Sequence, residues 1–394
     1  MSSGNSNDRW LVLLPVLAAL MLTSIWFASS PRDAGDPNSL VVYCAHDSVY
    51  ADAILKDFEQ QTGIRVDVRY DTEATKSLGL VNLIVAERRQ PRCDLFWNNE
   101  LLGTVDLKEQ GLLEPYQGLG WRRLPEKYRD EDGYWVGFAA RLRVQIINTR
   151  ELPPDDETVR KLFEFEPSSV AIAKPLFGTT LTHYTVLWHE WGPERLKEWH
   201  HDLRLRGVRE VDGNGAVKDL VAQGVCSAGL TDTDDFYVAI DDGRPVAMLP
   251  VRVSASPMKR SRHTTLDSQP ASLDSEIPLT VALSPEDGGE GTKPKAEEEA
   301  RSKTICIPNT AAIIRGTKRI EAARKLIDFL ASAETELALA RSKSRQVPLG
   351  PVDEAQLSDE VRRLKEWVAD GIDLRSLLPA RREALQWLKS EYLR

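Results

Sequence analysis

Apolar and polar positions along the first third of the chain follow a repeating order. Leu40–Tyr43 is a short apolar run that ends in the polar stretch Cys44-Ala45-His46-Asp47-Ser48. Ala53, Ile54 and Phe58 then recur at helical spacing, and Gly63 stands just past the end of that pattern. Ile64–Val68 reads as a second strand, and Leu95-Phe96-Trp97, after another helical stretch, as a third. Strand, helix, strand, helix, strand predicts an α/β fold with a parallel sheet. Ligands of such sheets sit beyond the carboxyl ends of the strands. His46, Asp71-Thr72-Glu73 and Asn98-Asn99-Glu100 are therefore the first site candidates.

The pattern continues with a long strand at Gly137–Asn148, then a short one at Val170–Ala173. A Gly178-Thr179-Thr180 turn, a helix rich in His and Trp over 182–206 and a strand at Cys226–Leu230 follow. Residues 253–303 are rich in Ser, Pro, Lys, Glu and Gly and nearly lack aromatics. Such a stretch cannot bury enough apolar surface to offset its ordering entropy, so it reads as a disordered insertion. Thr304–Gly316 returns as a strand, and helices are expected at 318–332 and 334–341. Two amphipathic stretches close the chain, one through Val361, Leu364, Trp367 and Val368, the other through Leu385, Trp387 and Leu388.

Several of these pieces resemble one family. They are Phe58-Glu59 followed by Thr62-Gly63-Ile64, the Asp94 to Glu100 strand end, GFAARLRVQIINT (137–149), LFGTT (176–180), 212–235 and IPNTAAIIRG (307–316). In order and spacing the chain resembles an extracellular solute-binding protein of an ABC importer, a type II periplasmic binding protein, in its ferric-iron-binding branch. The resemblance implies two α/β lobes joined by crossing hinge strands. The first lobe would cover 39–138, completed by about 304–394, and the second 139–252. Residues 1–38 would be an anchor or signal segment with a linker, and 352–394 a C-terminal helical extension. It also implies a monomer that hands a small ligand to a membrane permease.

Composition narrows the partners. A formal charge of −9 argues against nucleic acid, since phosphate binding needs a basic face. Trp10–Ala28 is uncharged and almost wholly apolar, about the length that crosses a bilayer as a helix. It reads as an uncleaved anchor, with a cleaved signal peptide as the alternative. Either reading exports the body of the chain, to the periplasm or beyond. Cys44, Cys93, Cys226 and Cys306 are far apart and form no Cys-x-x-Cys pair, so a zinc cluster is not expected. They read as buried small residues, although an exported location permits a disulfide. No His-Glu-x-x-His, Gly-x-Ser-x-Gly or phosphate-loop pattern is present, and no enzyme activity is expected.

Thr231-Asp232-Thr233-Asp234-Asp235 places three carboxylates and two hydroxyls at a strand end. Such oxygens suit a hard cation or a ligand bearing amines and hydroxyls, and one aspartate also suits a helix N-cap. Thr72 or Asp71 reads as an N-cap, with Thr72 and Glu73 as possible ligand contacts. In the resembled branch two adjacent tyrosines bind Fe(III); here those positions are Asp234 and Asp235. Tyr237 would be a nearby phenolate. His46 and Glu100 match that branch's first-lobe ligands, giving His46, Glu100, Asp234, Asp235 and Tyr237 as the implied metal set. Thr179, Thr180, Asn214 and Arg141 match its anion side, where carbonate or phosphate would sit. Arg141 also suits a structural ion pair across the hinge, and Asn214 a plain turn. Asn99 completes the ligand-contact set. The alternatives are a small organic or phosphonate-like solute, or a membrane-anchored sensor that reuses the fold.

Overall fold

The structure is a computed structural model that describes residues 38–71, 78–254 and 302–392. The expected anchor, Thr72, Glu73 and nearly all of the 253–303 insertion lie outside these residues. Among the described residues no helix is long and apolar enough to cross a membrane.

Among the described residues twelve strands follow in order: β1 (Ser39–Cys44), β2 (Arg65–Tyr70), β3 (Leu95–Asn98), β4 (Leu113–Glu114), β5 (Val136–Asn148), β6 (Val170–Ala173), β7 (Arg209–Val211), β8 (Ala228–Asp232), β9 (Val246–Pro250), β10 (Arg252–Val253), β11 (Lys303–Thr304) and β12 (Cys306–Ile314). The helices are α1 (Ser48–Thr62), α2 (Leu78–Ala86), α3 (Leu102–Glu109), α4 (Leu119–Arg123), α5 (Asp156–Phe165), α6 (Gly178–Trp191), α7 (Pro193–Leu205), α8 (Asn214–Ala222), α9 (Thr233–Asp241), α10 (Ile320–Leu330), α11 (Ala333–Arg341), α12 (Asp359–Ala369) and α13 (Leu378–Tyr392). The single helix expected over 182–206 is two. Gly192 sits at φ 83° and Pro193 starts the next helix, a combination that breaks the first and opens the second. The strand expected from Cys226 begins at Ala228 and runs on to Asp232, so the first aspartate of the acidic cluster belongs to the sheet.

The main sheet runs β2-β1-β3-β12-β5-β8-β6-β7. β1 pairs in parallel with β2 and β3, and β6 in parallel with β7 and β8. These two parallel halves are joined through β5, whose first part lies antiparallel to β12 and whose second part lies antiparallel to β8 and β9. The chain is thus a two-lobe α/β fold whose hinge is a continuous strand.

A bulge marks the crossover. The register of β5 against β12 slips between Pro308 and Asn309, leaving Ala139 as the extra residue, at φ 37°. That left-handed conformation is strained for a residue with a Cβ. Its polar groups are nevertheless satisfied. Glu336 Oε1 accepts from Ala139 N at 2.8 Å, and Asn309 Nδ2 donates to Ala139 O at 2.5 Å. Glu336 is fully buried and also accepts from Leu349 N, Gly350 N and Arg123 Nη2.

The C-terminal helix α13 lies across both halves. Arg382 pairs with Asp106 and Glu109 of α3, at 2.6 and 3.0 Å, while Glu383 accepts from Trp188 of α6 at 3.0 Å. At its end, Tyr392 reaches His200 of α7, whose Nδ1 faces the Tyr184 hydroxyl at 2.9 Å and whose Nε2 faces Tyr392 at 3.1 Å. Burial first, then Arg204 and His201, push His200 from the ordinary 6.5 down to about 4. Because the folded value lies below the unfolded one, the unfolded chain takes up a proton first as pH falls. Stability is complete above about pH 6.5 and declines toward pH 4, by about 3 kcal/mol for this one group. The melting temperature should drop across that window, and His200→Gln should make the drop shallower. An identical decline in the variant would show that His200 is not its source. His183, which burial and Arg143 hold well below the usual range, leaves a residual slope.

The four cysteines are buried thiols, as their apolar settings suggested. Burial pushes Cys93 well above the usual range and Cys306 up to about 12. The thiolate is the reactive form, so an aromatic disulfide reagent should find almost no thiol in the native protein and four after unfolding. Rapid native labelling of Cys93 or Cys306 would contradict that burial.

Candidate functional site

Strand ends from both halves converge on one cleft. It is open to solvent, which makes up part of its roughly 520 Å³ of empty space. Asp47 and Asn99 enter from the ends of β1 and β3, and Arg141 from the hinge strand. Lys174, Thr179, Thr180, Asp212, Asn214, Asp232, Asp234 and Asp235 come from the ends of β6, β7 and β8 and the helices that follow. This is the location that parallel α/β sheets provide for ligands.

Charge in the cleft is unbalanced. Five carboxylates line it, Asp47, Asp212, Asp232, Asp234 and Asp235, against two cationic side chains, Arg141 and Lys174. Lys174 meets Asp212 at 2.7 Å and Arg141 meets Asp234 at 3.4 Å. Carboxylate oxygens of Asp232, Asp234 and Asp235 lie within 4.8 Å of one another. Burial pulls the Arg141 guanidinium down, but Asp234, Asp232, Asp47 and Asp235 together outweigh it and hold it above its ordinary value. Tyr50, on the first turn of α1, feels the same field. Burial first, then Asp234, Asp47 and Asp235, push its phenol up to about 12.

Behind the cleft wall lies a buried network. Arg143 and Asp232 are directly opposite on the β5–β8 ladder, and their side chains meet at 2.8 Å. The same carboxylate accepts from Thr179 Oγ1 at 2.5 Å and from Asn214 Nδ2 at 3.0 Å. Asn214 Oδ1 in turn accepts from Arg143 Nη1 and Thr180 Oγ1, at 3.0 and 3.1 Å. Asp232 precedes α9, yet its side chain makes no capping bond to that helix. It has turned to Arg143 instead. The donors matched above to an anion, Thr179 and Asn214, are thus already engaged with a carboxylate of the chain.

Three members of the expected metal set sit elsewhere. Glu100 is buried and N-terminal to α3. Its Oε2 accepts from Leu102 N and its Oε1 from Gly103 N, both at 2.7 Å. A Cβ on Gly103 would lie 2.5 Å from Glu100 Oε1, so glycine permits this close cap. The carboxylate therefore serves a helix N-terminus, where backbone donors and the dipole hold it. Tyr237 is buried, with the Arg345 guanidinium over its ring at 4.7 Å, and is absent from the cleft lining. His46 is buried behind the lining, its Nδ1 3.2 Å from Arg141 Nη2 and its Nε2 3.0 Å from Gln346 Nε2. Metal ligation through either nitrogen would break the contact at that nitrogen. Asp234, Asp235, Asp232, Asn99, Arg141, Thr179, Thr180 and Asn214 do line the cleft, and Thr233 lies just behind them, its hydroxyl accepting from Leu142 N at 3.2 Å.

Sequence reasoning passed over Arg143, Tyr50, Asp47, Lys174 and Asp212. Arg143 had a signal: strand alternation puts it on the same face as Arg141, two residues away. Tyr50 follows Asp47 by three residues at the start of a helix, close enough to share its surroundings.

Comparison with known proteins agrees with this fold. A 134-residue stretch is 25% identical to the Fe(3+)-binding periplasmic protein of Serratia marcescens, spanning 34% of this chain and 38% of that relative. Iron-bound HitA from Pseudomonas aeruginosa shares the fold with a TM-score of 0.65 at 18% identity, over 89% of this chain and 98% of HitA. The periplasmic binding protein AfuA from Actinobacillus pleuropneumoniae, solved with exogenous fructose-6-phosphate, does so with a TM-score of 0.66 at 16% identity, over 90% of this chain and 98% of AfuA. The family model for bacterial extracellular solute-binding proteins matches residues 40–342, and the chain belongs to that family.

Proposed function

We propose that this chain is the substrate-binding component of an ABC importer, that it captures ferric iron in the inter-lobe cleft, and that it delivers the ion to a membrane permease. The observation that carries the reading is the excess of carboxylates in the cleft, five against two cationic side chains. Hard trivalent ions favour such oxygen ligands. Asp234 and Asp235 supply them from the second lobe. Asp47 supplies a further carboxylate from the first. Ligands on both lobes favour the closed form, so binding closes the hinge strand, and the closed form is the one a permease would accept. The Trp10–Ala28 run would hold the protein at the outer face of the membrane.

A second reading is a small organic solute carrying an amine. Replacement of the tyrosine pair by Asp234 and Asp235 favours it, because carboxylates pair well with ammonium groups. Native mass spectrometry of the gently purified protein separates the two. A mass increment of one iron supports the first reading; an organic increment with no iron supports the second. A protein that carries neither, and gains neither on incubation, would oppose both.

A further inference from the structure

We infer that Asp232 acts as a built-in anion: its carboxylate fills, from within the chain, the pocket that a guest's phosphate or carboxylate would otherwise take. The inference refines the proposed reading of this cleft by setting the class of guest. The helices α6 and α8, of 14 and 9 residues, begin at this point and bring Thr179 and Asn214 to it. Arg143 lies beneath, fully buried. Three donors from three elements meet on one carboxylate, Arg143 at 2.8 Å, Thr179 at 2.5 Å and Asn214 at 3.0 Å. Helix N-termini with a guanidinium make a strong oxyanion cradle, and here the oxyanion is a side chain.

Arg143 carries donor capacity beyond this bond. Its Nε and Nη2 are buried and have no hydrogen-bond partner. Deleting the Asp232 carboxylate would therefore leave a buried cation without its counter-charge, beside a cleft that Asp232 itself lines. Such a charge is costly to leave unpaired. A small oxyanion entering from the cleft would relieve it. In the native chain the place is taken, so a guest presents no phosphate or carboxylate there, and capture needs no co-bound carbonate or phosphate.

Thermal melting of Asp232→Ala against formate, acetate, bicarbonate and inorganic phosphate tests this. The variant should melt lower than the wild type and recover in a saturable way, by roughly 3–5 °C at hundredfold excess over the dissociation constant. The wild type should not respond, and Asp232→Asn, which keeps the volume filled, should not be rescued. A folded Asp232→Ala that ignores all four anions would overturn the inference. If that variant does not fold, the wild type still decides. Saturable stabilisation of the wild type by bicarbonate or phosphate would mean the cradle is open and the inference wrong; indifference to both would support it. Rescue of Asp232→Ala in a protein that never binds iron would uphold the built-in anion while removing the ferric reading.

Discussion

Replacing Asp234 and Asp235 together with asparagine should weaken capture of ferric iron by on the order of 100-fold or more. Truncating a partner in a buried charge pair typically removes about 2–5 kcal/mol, and 1.4 kcal/mol is tenfold in affinity. Two effects add. The cleft falls from five carboxylates to three, against the same two cationic side chains. Arg141, 3% exposed, also loses Asp234, the carboxylate that contributes most to holding its charge. The double variant thus leaves a less acidic cleft in which Arg141 has lost its ion-pair partner, although Asp232 and Asp47 still act on it. Asparagine preserves volume, so the fold should survive, which the melting temperature checks. Equilibrium dialysis against iron supplied as a weak chelate gives the affinity. A folded double variant with unchanged affinity would mean that these aspartates are not the site.

Glu336→Ala should destabilise the protein by about 3–5 kcal/mol, a large part of the 5–15 kcal/mol that a typical protein has in total. The carboxylate is fully buried and accepts from four groups: Ala139 N, Leu349 N, Gly350 N and Arg123 Nη2. Alanine would orphan three amides at once and remove the counter-charge of Arg123, which keeps the Ala331 and Pro351 carbonyls, and each buried unsatisfied donor costs about 1–3 kcal/mol. The position matters as well as the count. Ala139 holds its strained φ of 37° at the point where β5 leaves one half of the sheet for the other. Without its acceptor the bulge has less reason to persist, and the hinge should loosen. Glu336→Gln, which keeps acceptor capacity but loses the charge, should fall between alanine and wild type. Urea unfolding measures all three. A loss below about 1 kcal/mol in the alanine variant would show that water or local rearrangement replaces these bonds.

Much of the fold was legible because local pattern and tertiary role agree. Leu40–Tyr43 and Leu95–Trp97 are buried on both faces, so they read as apolar runs. Gly63, at φ 70°, ends α1 as its position suggested. The site was legible in its outline, since strand ends can be located from such runs, but not in its division of labour. Whether Glu100 meets a guest or two amides of α3 depends on the orientation of a helix that begins two residues later. The Arg143–Asp232 pair joins residues 89 apart, through a register that only the assembled sheet defines. Tyr237 lies one turn into α9, and Arg345, distant in sequence, covers its ring. Glu100 turns on local helix geometry, whereas Asp232 and Tyr237 each find a partner distant in sequence. Hydrophobic periodicity carries no information about such partners.

The central claim is that a carboxylate-lined gap between two hinged lobes holds a single ferric ion. Crystals of the iron-loaded protein, measured on both sides of the iron absorption edge, test it directly. The account predicts one anomalous peak in the cleft, within coordination distance of Asp234 or Asp235. A peak only at the protein surface, or none at full loading, would contradict it.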